Sequence, residues 1–230
     1  MRLTPRQIVR RPATLVLMGL VLASARPALA GPPLLCHPFN IGAAKSLPWN
    51  GASSWYDGQS GYALQRLADD TEALLTPSTP VIVRMETLRR AAIYASRDPQ
   101  VAKRLYLTIN DRIRAAAQAA GGKTDPLSLF DAGYLTETFR EIGRLGKYGF
   151  REGGMDSEAA AALVQNVDGY ALVEKSLMMR PGDASINLAA ALIASSTTGR
   201  GDQYRLHAER ARAGAKHDAL LAINLASITD

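Results

Sequence analysis

From Tyr62 onward the apolar residues recur every three or four positions, and no alternating run bounded by a hairpin dipeptide breaks the pattern. That period places one apolar stripe on each of a series of α-helices and gives a sheet nothing to start from. Leu64, Leu67, Ala68, Thr71, Leu74 and Leu75 share a face over 62–76. Thr79-Pro80, Asp98-Pro99 and Asp125-Pro126 open three further helices, since the N–H that proline lacks has no partner in a first helical turn. The first carries Val81, Met85, Leu88, Ala92 and Ala95 inward. The second carries Leu105, Tyr106, Ile109 and Ile113 as far as Gly121-Gly122. The third carries Phe130, Tyr134, Ile142 and Leu145 until glycines 146 and 149. Beyond Gly153-Gly154, Asp156-Ser157 caps a helix expected to run to about Met179. Pro181-Gly182-Asp183 turns it, residues 184–194 return, and a last pair spans about 202–213 and 218–228. The expected fold is all-α, about eight helices in antiparallel hairpins with short connections.

Residues 31–61 break this period. They hold nine Gly or Pro, both tryptophans (Trp49 and Trp55), Phe39, Tyr56 and the single cysteine. Such a segment reads as an irregular arm, and its aromatics would cost solubility if exposed, so it is expected to lie on the helical body. Residues 1–30 read as a signal peptide: Arg2, Arg6, Arg10 and Arg11, then the uncharged run Ala13 to Ala25, then Ala28-Leu29-Ala30 before Gly31. The run is shorter than the ~18 apolar residues of a spanning helix. Pro12, Ala13 and Thr14 after Arg10-Arg11 favour the general secretory route over a twin-arginine one. The expected location is periplasmic or extracellular, with no transmembrane segment after cleavage. The net charge of +6 suggests a nucleic-acid partner, but five arginines and no acids lie in the leader. The remainder holds 22 basic and 21 acidic residues, and the expectation is no nucleic acid.

The body divides into helical hairpins over 62–149 and a second set over 150–230. In the second set, Asp168 to Asp183 resembles the second helix and turn of a tetratricopeptide repeat, with Gly169 and Ser176 at the close-packing positions and Pro181 ending the unit. Ser185-Ile186-Asn187-Leu188-Ala189 is similar to the start of the next unit. Ile-Asn-Leu-Ala recurs at 186–189 and 223–226. The resemblance covers about 168–228 and implies stacked helix pairs sharing one core, with an open face for a partner. Three inserted residues before Gly199, Tyr204 at a small-residue position and Lys216 in place of the terminal proline depart from the pattern. Cys36-His37-Pro38-Phe39-Asn40-Ile41-Gly42 with Lys45-Ser46-Leu47-Pro48-Trp49 also resembles the opening of secreted bacterial proteins without an assigned activity, which implies export and no chemistry.

Chemistry-bearing residues are sparse. Cys36 and His37 are a thiol candidate, but three histidines and one cysteine do not make a zinc site, and neighbours in an extended arm point to opposite sides. The thiol reads as idle, as a disulfide link between two copies, or as reactive. Eight basic and three acidic residues over 84–114 read as a solvated face. Asp69, Asp70 and Glu72, and the pair Glu137 and Glu141, read as exposed acids. No nucleophile elbow or phosphate loop occurs, so no catalytic residue, metal site or cofactor is expected. The first functional reading is an exported interaction module for a protein or peptide in the cell envelope. Asn187 and Asn224 would bond an extended peptide or neighbouring backbone, and Trp49 and Trp55 would add apolar contact. The alternative is an envelope enzyme or redox or metal protein centred on Cys36-His37. Docking needs an open groove, and filling of that groove by residues 31–61 would weaken it.

Overall fold

The computed structural model describes residues 31–50, 54–150, 152–225 and 228. The leader and Ala226 of the second Ile-Asn-Leu-Ala lie outside them. Among the described residues the chain is all-α: α1 (Leu67–Leu74), α2 (Val81–Ala95), α3 (Pro99–Ala119), α4 (Pro126–Lys147), α5 (Ser157–Val164), α6 (Gly169–Met179), α7 (Ala184–Ser195), α8 (Gly201–Gly214) and α9 (Ala219–Asn224). One isolated β-bridge joins Trp49 to Gly58 in the arm. None of these helices is long and apolar enough to cross a membrane.

Aspartate sets most of the helix starts. The carboxylates of Asp98, Asp125, Asp156, Asp168, Asp183 and Asp218 each accept backbone N–H groups in the first turn of α3, α4, α5, α6, α7 and α9. Each such cap contributes about 1 kcal/mol by satisfying donors that no helical carbonyl can reach. The same device corrects the sequence reading at one place. The helix expected from Asp156 to Met179 is two helices, because Asp168 starts a new N-terminus at Gly169 and α5 ends at Val164. The first expected helix is also shorter, with a single 3₁₀ turn at Leu64–Arg66 leading into α1.

Helix α4 is the hub, packing on α2, α3, α5 and α6. Its contact with α6 is backbone against backbone: a Cβ on Gly133 would sit 2.5 Å from the Gly169 carbonyl, and one on Gly169 would sit 2.6 Å from that of Gly133. Gly169 therefore is a close-packing residue, and α4 is the helix it admits.

Helix α2 departs furthest from expectation. Fourteen of its fifteen residues are buried, the charged ones included. Arg84 pairs with Asp131 at 2.6 Å, and Arg112 reaches the same carboxylate at 2.9 Å. Glu86 pairs with Arg89 at 2.8 Å and Arg90 at 2.7 Å. The basic run over 84–114 is thus not one solvated face. Half of it cross-links the interior, while Arg104 with Asp69 and Arg114 with Asp111 form exposed pairs.

The glycine contact yields a direct test. Gly133→Ala gains about 1 kcal/mol of helix propensity but drives a methyl into a carbonyl that only a helix shift can move, at a cost of about 1–3 kcal/mol or more. Urea unfolding should show net destabilisation. Gly182→Ala, with open space around the new methyl, should stay within about 0.5 kcal/mol of the parent.

Candidate functional site

The arm is packed into the helical body. Leu34, Leu35, Phe39 and Leu47 are buried in the common core, and polar side chains of the body bond the arm's backbone. Arg89 spends Nε and Nη2 on Glu86 and donates Nη1 to the carbonyls of Leu35 and Trp55, each at 3.0 Å. Arg90 donates to the Leu47 carbonyl at 2.7 Å, and the Tyr94 hydroxyl to that of Pro48 at 2.6 Å. Glu86 accepts the Phe39 N–H, and Glu141 accepts the Leu34 N–H. This is how a groove would hold an extended peptide, with the chain's own residues 34–48 as the occupant.

The residues singled out from the sequence fall into this packing. Asn187 is buried: its amide donates to the Asp183 carbonyl and its oxygen faces His207 Nδ1 at 2.9 Å. Asn224 is buried likewise, donating to the Leu220 and Asn40 carbonyls and accepting the Asn40 N–H at 2.8 Å. Both amides serve internal partners rather than a free groove, and Asn224 ties the arm to α9. Trp49 stands edge-on to Tyr94 at 5.5 Å with Arg89 and Arg90 against its ring. Trp55 clusters with Tyr56 and Phe150. Both rings are half-buried.

Cys36 and His37 gain no catalytic neighbourhood. Burial first, then the charge of Glu141, pushes the Cys36 thiol up to about 11, with Arg89 opposing. Burial lowers the pKa of His37, which favours its neutral form. Loss of thiolate slows nucleophilic attack and thiol–disulfide exchange alike. Among the described residues no group of three or more His, Cys, Asp or Glu could hold a metal ion.

An open cavity of about 400 Å³ remains where α4 meets the ends of α5, α6 and α7. Arg140, Arg144 and Arg200 line it with Thr197, Tyr170 and Gln165. Each guanidinium is held from behind. Arg140 pairs with Glu137 at 3.0 Å and donates to the carbonyls of Val164 and Val167 at the end of α5. Arg144 donates to the Ser196 carbonyl at the end of α7 at 2.8 Å. Arg200 lies 3.9 Å from the centre of the Tyr170 ring and 3.8 Å from Asp168. Burial pushes the Tyr170 hydroxyl up to about 12, and that group meets His207 Nε2 at 3.1 Å. A second opening beside it adds Lys147, so Arg140, Arg144 and Lys147 form one basic row on α4 at spacings of four and three. Helix spacing alone gives that row; Arg200 joins it only through the fold, sixty residues from Arg140.

The acidic pair behind this cleft also departs from expectation. Glu137 and Glu141 are buried rather than exposed. Glu137 accepts the first N–H of α6, from Gly169, at 3.0 Å. Glu141 accepts the Ser196 hydroxyl and the Leu34 N–H, and burial raises its pKa to about 7. No family model, curated protein or solved structure matches the chain.

The thiol's surroundings predict its reactivity. At pH 8, alkylation of Cys36 by iodoacetamide should run about a hundredfold slower than that of an ordinary cysteine, because a pKa near 11 leaves so little thiolate. Guanidinium denaturation should restore the ordinary rate, and mass-spectrometric timing of the adduct measures both.

Proposed function

We propose that this protein is an exported helical-repeat module, tetratricopeptide-like in its C-terminal part, that works by contact with a protein or peptide partner in the cell envelope. Its contact site is the arginine-lined cleft, and the partner feature it takes is an acidic segment or a chain-terminal carboxylate. The convergence of Arg140, Arg144 and Arg200 on one cavity carries this reading. Guanidinium groups match carboxylates with two parallel N–H···O bonds. Here their backs are already fixed to helix-end carbonyls and a tyrosine ring, so little side-chain freedom remains to be lost on binding. Gln165, Asn166 and Thr197 on the rim supply donors and acceptors for a peptide backbone.

This reading moves the contact away from Asn187, Asn224, Trp49 and Trp55, which the arm and the core employ. It also accounts for the near balance of charge outside the leader. The basic residues act as a local cluster rather than as a broad polyanion-binding face. An envelope enzyme built on Cys36 and His37 has less support, because that thiol holds its proton so firmly.

Calorimetry with a hexaglutamate peptide, carrying either a free or an amidated C-terminus, tests the proposal. Binding is expected at low salt and should weaken as salt rises. Arg200→Ala and Arg144→Ala should each reduce affinity about 10- to 100-fold, the loss of a charge-assisted pair. Arg205→Ala, on an exposed pair with Asp202 away from the cleft, should change nothing. Equal affinities for the parent and both cleft variants would remove the proposal.

A further inference from the structure

Glu141 is 2% exposed, and its hydrogen-bond partners among the described residues are neutral, the Ser196 hydroxyl and the Leu34 N–H, while Arg144, one turn along α4, donates to the Ser196 carbonyl. A carboxylate buried this far ordinarily has a cation bonded to it. The space for one exists. A cavity of about 450 Å³ is lined by Glu141, Arg144, Leu145 and Ser196 on the body and by Gly31, Pro32 and Pro33 of the arm. The arm is fixed there by a tight turn, with the N–H groups of Leu35 and Cys36 donating to the Pro32 carbonyl. Gly31 presses so closely on Cys36 that an added Cβ would lie 2.7 Å from its sulfur, and the charge of Glu141 reaches that same thiol. Gly31, Cys36 and Glu141 therefore form one cluster.

Gly31 is also the residue that follows Ala28-Leu29-Ala30. We propose that hydrolysis of the Ala30–Gly31 bond makes Gly31 the first residue, and that its α-ammonium enters this cavity as the counter-ion of Glu141. A signal-processing peptidase adds water across the amide. Ala30 leaves with the new carboxylate, and the Gly31 nitrogen becomes an amine that takes up a proton. In the uncut chain that nitrogen is a neutral amide and offers Glu141 no charge. Processing thus adds a cation bonded directly to the buried carboxylate, which Arg144 acts on only through its charge, and the arm's first turn becomes bonded at Gly31 as well as at Leu34.

The pH dependence changes with cutting. In the uncut chain the Glu141 pKa is raised to about 7, so its contribution favours the fold below the ordinary carboxylate range and is lost as pH rises through about 7. Arg144 lowers this pKa, while Glu137 raises it. Cys36 of the arm and Tyr134 of α4 face the same carboxylate and stay protonated at that pH. An adjacent ammonium holds Glu141 ionised and removes the loss.

The proposal shares the export leader and Arg144 with the docking function, and its test separates the two. Two chains are compared, one with Gly31 freed by a site-specific protease in vitro and one retaining Ala30 at its start. Mass spectrometry of the exported protein separately reads where it is cut. The freed Gly31 amine, followed by NMR after reductive ¹³C-methylation, is expected to titrate about one unit or more above the usual ~7.7 of a chain terminus. Glu141→Gln should return it to that value. Retention of Ala30 should lower Tm at pH 7.5 in the parent and make no difference in the Glu141→Gln background. An amine titrating at its ordinary value, or an Ala30 penalty that persists in Glu141→Gln, would overturn the pairing. An exported chain starting elsewhere than Gly31 would overturn the processing step. The titration on the unsubstituted chain decides the pairing even if Glu141→Gln folds poorly.

Discussion

Glu86 has no exposed surface, and it lies between the guanidinium groups of Arg89 and Arg90 on its own helix. Taking these charges out of water costs several kcal/mol for each ion, and the cost is met only if the remaining donors and acceptors are filled as well. Body and arm fill them together. The spare donor of Arg89 meets two arm carbonyls, Arg90 meets a third, and Glu86 takes an arm N–H. With the arm removed, the cluster would face solvent with its geometry unsupported. The irregular segment is therefore part of the interior, and α2 can be polar on one side while buried on nearly all sides.

Much of the helical plan was legible because aspartate and proline mark helix starts through local chemistry alone. Asp98-Pro99 and Asp125-Pro126 need no tertiary information to act as caps. The break at Val164 is not legible because Gln165-Asn166-Val167-Asp168 contains no proline or preceding glycine, and Gly169 reads as a packing residue. The burial of Arg84, Arg89, Glu137 and Glu141 could not be read from helical spacing. A wheel shows which residues oppose the apolar stripe. It does not show that an aperiodic segment or another helix covers that opposite side.

The cleft had a similar fate. Arg140, Arg144 and Lys147 lie on one face by spacing, but Arg200 and Tyr170 arrive from other helices. No window of sequence contains the set. Asn187 and Asn224 make parallel bonds: each amide donates to the carbonyl four residues back and offers its oxygen to a distant element. The shared motif marks a cross-linking role inside the protein.

The arm's anchor points lie far along the chain. Leu34 is bonded to a residue 107 positions later, and Asn40 to one 184 positions later. At about 5–20 residues per second of synthesis, the partner of Asn40 follows it by about 10–40 seconds. Closing loops of that length is slow compared with forming local helices. The segment made early must wait for the last helix before it can take its seat, so a chaperone has a natural interval in which to hold it.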